Sequence, residues 1–245
     1  MRVLYLIPGP MSKGPLGSQE LIRRQSVLQK YAVAGTELAV CDTETGPASI
    51  ESVYEEYLAI PAALKEIRRA EQEGFDAIIV GCFGDPGVDG GREIVNVPVI
   101  GPCESSLHLG AMLGYYFSVV TVLDNVKPVI RRVLRDTGLE SRLASIRVIQ
   151  TAVLDLANSR KATLGRLIEA GKRAIDEDGA DTLILGCMSL AFLEVDQELS
   201  QALGVPVINP ATAALKAAET LVSLRLRPSK KAFPVPVKEV LSTAI

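Results

Sequence analysis

The chain has 245 residues, of which 48% are hydrophobic and 22% charged, with a formal net charge of −3. That length supports one large or two small domains with a buried core, and the balance is ordinary for a soluble globular protein. A slightly acidic chain with no basic run longer than two residues, as at Lys230-Lys231, argues against nucleic-acid binding as its main business. The apolar runs, such as Asp76-Ala-Ile-Ile-Val-Gly-Cys-Phe83, are too short to span a bilayer.

Met1–Ile7 meets Pro8-Gly9-Pro10 at once, so this apolar run is too short for a signal peptide and reads as a first buried strand. From there, apolar runs alternate with amphipathic stretches, the βα rhythm of a parallel sheet. The pattern predicts strands near 2–7, 36–41, 76–81, 97–100, 117–122, 146–152, 181–186 and 205–208. It predicts helices over 17–34, 50–73, 104–113, 125–137, 159–178, 189–203 and 210–225. Runs without a polar break, such as Ala77-Ile-Ile-Val80, suit a sheet covered on both faces.

The pattern also repeats. Glu73-Gly-Phe-Asp-Ala-Ile-Ile-Val-Gly-Cys-Phe83 can be laid on Asp178-Gly-Ala-Asp-Thr-Leu-Ile-Leu-Gly-Cys-Met188, with Cys187 lying 105 positions after Cys82. Val97-Pro-Val-Ile-Gly-Pro102 matches Val205-Pro-Val-Ile-Asn-Pro210, and Phe117–Val122 corresponds more loosely to Val3–Pro8. One βα unit resembles another, but two landmarks in the same order at nearly one offset point to duplication. The expectation is an α/β protein of two pseudo-symmetric, Rossmann-like halves, each with a mainly parallel four-stranded sheet and the site in the cleft between them. The halves run 1–113 and 114–225, and residues 226–245, broken by prolines, form a C-terminal tail.

The four cysteines, Cys41, Cys82, Cys103 and Cys187, include no close pair, and one histidine, His108, is too little for a usual zinc set. No metal site and no disulfide framework are expected, and the setting expected is cytoplasmic. A cysteine at a strand end is most simply a small buried hydrophobe, and that reading is preferred for Cys41 and Cys103, which lack counterparts. Cys82 and Cys187 differ because the repeat brings both to the same corner. Ligands in open α/β sheets sit at the carboxyl ends of strands. Gly81 and Gly186 let the backbone turn sharply there. The amides that follow lower a thiol pKa and bind an oxyanion. Two thiols facing each other across a cleft form an acid and a base, one removing a proton from a stereocentre beside a carbonyl and the other delivering one to the opposite face. That is racemase chemistry and it requires no cofactor. A redox disulfide between the two is a weaker alternative.

These residues resemble a known family. Gly81-Cys-Phe-Gly-Asp-Pro-Gly87, Gly46-Pro-Ala-Ser-Ile-Glu-Ser52 with Tyr54, Leu185-Gly-Cys187 and Phe117-Ser-Val-Val-Thr121 look like hydantoin racemases, of the aspartate/glutamate racemase superfamily, over residues 1 to about 225. The resemblance implies catalytic Cys82 and Cys187, small-molecule substrates such as 5-substituted hydantoins or allantoin, a homo-oligomer, and a C-terminal segment from about 210 packed on the first half. The substrate-binding residues then expected are Pro8, Gly9, Phe83, Gly84, Thr121, Val122, Met188 and Ser189. The chain departs from the family at Ile7-Pro8-Gly9, where Asn-Pro-Asn is usual, and at Met188-Ser189-Leu190, where Ala-Gly-Met is usual. Losing the amide side chains removes partners for a buried polar substrate group. Other readings stay open: a decarboxylase or cis–trans isomerase of the same superfamily, or a non-catalytic binding protein. Asp85 is expected to cap the turn after Cys82, Glu104 to occupy a helix first turn, and His108 to be structural or exposed. Gly87–Gly91, which matches no nucleotide fingerprint, reads as a lip near the pocket, followed by solvated charge at Arg92 and Glu93.

Overall fold

The computed structural model describes residues 1–237. Strands β1 (Arg2–Ile7), β2 (Glu37–Asp42), β3 (Ala77–Val80) and β4 (Val99–Ile100) form one parallel sheet in the order β2-β1-β3-β4. Strands β5 (Phe117–Thr121), β6 (Leu143–Val148), β7 (Thr182–Leu185) and β8 (Val207–Ile208) form a second in the order β6-β5-β7-β8. The predicted α/β class with two parallel four-stranded sheets is what the chain adopts. Every residue of β3 and β7 is buried, as expected of central strands covered on both faces.

The repeat is visible hydrogen bond by hydrogen bond. Gly81 N donates to Leu6 O at 2.7 Å, and Gly186 N donates to Val120 O at 2.8 Å. Asp76 N and Asp181 N donate to Arg2 O and Tyr116 O at 2.8 and 2.9 Å, and Ile78 N and Leu183 N donate to Pro98 O and Pro206 O, both at 2.9 Å. The Gly-Cys corners therefore leave equivalent strands at equivalent heights.

Nine α-helices of the described residues cover the sheets: α1 (Gly17–Gln29), α2 (Val53–Gln72), α3 (Val88–Ile94), α4 (Pro102–Leu113), α5 (Lys127–Asp136), α6 (Arg160–Asp176), α7 (Met188–Ala191), α8 (Asp196–Leu203) and α9 (Pro210–Ser223). Their starts follow local chemistry. The Ser52 hydroxyl accepts from Glu55 N while the Glu55 carboxylate accepts from the Ser52 hydroxyl and Glu51 N, a reciprocal cap for α2. Pro102 and Pro210 begin α4 and α9, where the missing N–H costs nothing.

The last helix of each repeat crosses to the other sheet. α4 lies against β5 and β7, α9 against β3 and β4, and the two pack on one another. One core cluster accordingly joins Phe83, Cys103 and Leu107 to Phe117, Val119 and Ile130; another joins Val3, Tyr5 and Ile79 to Met188, Phe192 and Leu215. The interface that carries the cleft is thus continuous hydrophobic core.

Three local expectations are corrected. The helix predicted over 189–203 is two, α7 and α8, because Glu194 between them takes a left-handed φ of 50°. The glycine-rich Gly87–Gly91 is no lip: it starts α3, with Val88 and Gly91 buried, and a Cβ on Gly91 would sit 3.1 Å from Ile67 and 3.2 Å from Val99. Glycine is there for close packing. Arg92 is not merely solvated: it donates to Glu104 Oε2 at 2.6 Å and to Val99 O at 3.2 Å. The tail runs along α3, where Lys230 Nζ donates to the carbonyls of Arg92, Glu93 and Val95 at 2.6, 3.0 and 2.6 Å, capping its C-terminal end. The remainder of the predicted tail, 238–245, lies outside the described residues.

Candidate active site

The carboxyl ends of both sheets face a cavity of about 100 Å³. Cys82 and Cys187 both line it, each with its preceding glycine. Space explains those glycines: a Cβ on Gly81 would lie 2.5 Å from the Tyr5 ring, and one on Gly186 would lie 2.6 Å from Val119 Cγ1. Neither corner accepts a larger residue without moving a core side chain. All four cysteines are free thiols.

Of the expected binding residues, Pro8, Gly9, Phe83, Gly84, Val122, Met188 and Ser189 lie on the cavity wall. Thr121 does not: it is fully buried behind the wall, its hydroxyl donating to Gly186 O at 2.7 Å. It supports the Cys187 corner. Asp85 caps a different element from the one expected; its carboxylate accepts from Cys103 N and Glu104 N at 2.9 and 2.8 Å, tying the Cys82 loop to the start of α4. Glu104 sits in the first turn of α4, and His108 is exposed on the same helix.

The remaining wall was not among the expected binding residues, although its Pro47–Ile50 part lies in the Gly46–Ser52 segment that carries the family resemblance. Pro47, Ala48, Ser49 and Ile50 close one side, and Val126, Val129, Ile130, Val153 and Leu154 make an apolar wall from the second half. Glu51 Oε1 accepts from Val153 N at 2.6 Å, joining the two sides. Gly9 lets the Pro47 segment approach, since a Cβ there would lie 2.5 Å from Pro47 O. Tyr54, beyond this segment, is exposed.

Two arginines were also missed. Arg24 is 2% exposed, lines the cavity, and lies over the Phe192 ring at 4.6 Å. Arg132 forms a two-point ion pair with the buried Glu56, at 2.5 and 3.1 Å, across the two halves. Sequence spacing held the signal: Arg24 shares a face with buried Val27 and Leu28, and Glu56 with buried Ala59 and Ala63.

The two thiols sit in unlike surroundings. Burial pushes Cys82 up to about 12, opposed by the Gly84 amide and reinforced by the charges of Cys187, Glu56 and Asp85. Burial also raises Cys187, but the amides of Leu190 and Ser189 and the charge of Arg24 pull it back, against Glu51. Each sulfur thus has amides from the turn that follows it, and the charge of one bears on the other. Tyr5 is buried beneath this pair, its hydroxyl without a hydrogen-bond partner among the described residues and its acidity suppressed by burial.

The sequence profile described as Asp/Glu/Hydantoin racemase covers residues 17–218. The chain belongs to that family. Membership places it among racemases, enzymes of the isomerase class. A hydantoin racemase of Pseudomonas sp. (strain NS671) is 41% identical over 209 residues, which is 85% of this chain and 83% of the relative. The solved structure of an allantoin racemase from Pseudomonas fluorescens superimposes with a TM-score of 0.91 at 32% identity, covering 99% of this chain and 100% of that one. An arylmalonate decarboxylase structure is similar at a TM-score of 0.62 and 17% identity over 91% of this chain and 92% of its own. That last likeness is of fold alone.

Proposed function

We propose that this family member racemises a small cyclic substrate with an acidic C–H beside a carbonyl, a 5-substituted hydantoin or allantoin, by 1,1-proton transfer between two thiols without a cofactor. The observation that carries the proposal is that Cys82 and Cys187, from equivalent strand ends of the two halves, line one small cavity.

In each turnover one sulfur, as thiolate, takes the proton from the stereocentre, and the electron pair passes onto the adjacent carbonyl as an enolate. The opposite sulfur, as thiol, gives its proton to the other face of that carbon. The site ends with its proton on the other sulfur, ready for the mirror-image reaction, so no external acid, base or oxidant is consumed. Backbone amides after each cysteine stabilise the thiolate; the apolar wall of Val122, Val126, Val129, Ile130, Val153 and Leu154 excludes water and accommodates a substituent.

The test follows deuterium at C5 of enantiopure 5-substituted hydantoins and of allantoin in heavy water. Wild type is expected to racemise with one solvent deuterium incorporated, and Cys82→Ser and Cys187→Ser each to lose about 10²-fold or more of the racemisation rate. Racemisation surviving either substitution refutes the two-thiol mechanism. Carbon dioxide release from an arylmalonate would turn the assignment to a decarboxylase, and ligand binding unchanged in both variants without any turnover would turn it to a binding protein.

A further inference from the structure

Each cysteine loop is held from across the cleft by an arginine of the other half. Arg24 is on α1, the α-helix after the first strand of the first sheet; Arg132 is on α5, the α-helix after the first strand of the second. Arg24 Nη2 donates to the Ser189 hydroxyl at 3.2 Å, two residues past Cys187. Arg132 Nη2 donates to the Gly84 carbonyl at 3.0 Å, two residues past Cys82. Each also holds a carboxylate, Glu20 at 2.9 Å for Arg24 and Glu56 for Arg132. The two arginines are topological mates, arranged by the same pseudo-twofold relation as the cysteines.

Their electrostatic consequences are opposite. Arg132 has a side chain 34% exposed, does not line the cavity, and commits both outer nitrogens to a buried carboxylate that is its own. That pair is neutral, and Asp85 on the Cys82 loop, itself raised to about 8 by burial, adds negative charge beside Cys82 only as pH climbs into the range where thiols titrate. Arg24 is buried on the cavity wall, and its carboxylate, Glu20, is shared with Arg23 through two further hydrogen bonds. Two guanidinium groups on one carboxylate leave a net positive charge beside the Cys187 loop. The groups facing Cys187 are Arg24 with Glu20 from α1, Tyr5 from β1, Glu51 from the segment before α2, and Cys82 across the cavity. Arg24 is the cation among them that lines the cavity.

Resting on the two-thiol reading above, we infer that Arg24 is a positioning residue that makes the thiols unequal: it fixes the Cys187 loop through Ser189 and supplies its net cation, so that Cys187 is the first of the two sulfurs to ionise and Cys82 the partner that stays protonated. Two free enantiomers of a compound with one stereocentre have equal energy, so kcat/KM is the same in both directions and hides this inequality. The ionisation of each sulfur reveals it.

The experiment is the pH dependence of iodoacetamide alkylation at Cys82 and Cys187 separately, read by peptide mass spectrometry, in wild type, Arg24→Gln, Arg24→Lys and Glu20→Gln. Wild-type Cys187 is expected to titrate below Cys82. Arg24→Gln is expected to move the Cys187 midpoint up by about one pH unit, roughly a tenfold loss of thiolate at fixed pH, without raising that of Cys82. Arg24→Lys, which keeps the charge, restores most of the shift. Glu20→Gln moves the Cys187 midpoint down, and gives an independent reading should Arg24→Gln fail to fold. A Cys187 midpoint unmoved in both Arg24→Gln and Glu20→Gln, or moved equally with that of Cys82, overturns the inference. Because alkylation needs no substrate, a chain that racemises hydantoins but titrates indifferently to Arg24 keeps the proposed reaction and loses this inference. A chain inert in heavy water that nonetheless shows the shifts loses the reaction and keeps the charge assignment.

Discussion

Removing Arg132 and removing Glu56 break the same ion pair but leave different orphans. Glu56 is 1% exposed, whereas the Arg132 side chain is 34% exposed. In Arg132→Met the carboxylate loses both guanidinium bonds and has no route to water, and breaking a buried pair in this way costs about 3–5 kcal/mol. In Glu56→Gln the guanidinium keeps its bond to Gly84 O and one amide acceptor, and its exposed edge turns to solvent. The loss is then that of a charge-assisted hydrogen bond, about 1.5–3 kcal/mol at most. For a chain of this size, about 3 kcal/mol corresponds to a fall in melting temperature of roughly 6–12 °C. The assay is urea unfolding of both single variants and of Arg132→Met/Glu56→Leu. The expected order is Arg132→Met worst, Glu56→Gln milder, and the double variant more stable than Arg132→Met alone. An Arg132→Met loss equal to or smaller than that of Glu56→Gln would refute the claim that the buried carboxylate is the costly partner.

Two further outcomes are expected. Gly9→Ala places a methyl against the Pro47 carbonyl, a backbone atom 2.5 Å away that moves only with its loop; kcat/KM is expected to fall tenfold or more with a smaller change in melting temperature, and unchanged kinetics would show that the Pro47–Ile50 wall does not shape the site. With both thiols raised by burial, Cys82 to about 12, the monoprotonated pair needed for proton transfer accumulates as pH rises, so kcat/KM of the free enzyme is expected to keep climbing above the ordinary thiol pKa of about 8.5. An acid limb at or below pH 7 in steady-state racemisation kinetics would contradict that ordering.

The residues of this chain determine its architecture because the relevant physics is local. Uninterrupted apolar runs such as Ala77–Val80, alternating with amphipathic stretches, suit buried parallel strands between helices, and an acidic-Gly-x-Asp lead-in followed by strand, glycine and cysteine, written twice, puts two thiols at equivalent strand ends. Tertiary packing decided what lies around those thiols. Helical spacing marks a charge as lying on a buried face without naming what it meets across the cleft, so Arg24 and Arg132 gain Ser189 and Gly84 only when α1 and α5 reach them in the folded chain. Thr121 shows the converse: a polar residue at the right strand end turns its hydroxyl to Gly186 O and leaves the cavity. The apolar wall of Val126, Val129 and Val153, and the meeting of Glu51 with Val153, join residues far apart in the chain that no local period connects. Sequence pattern specifies which face of an element is buried; the partner that buries it, and hence the charge beside each sulfur, exists only in three dimensions.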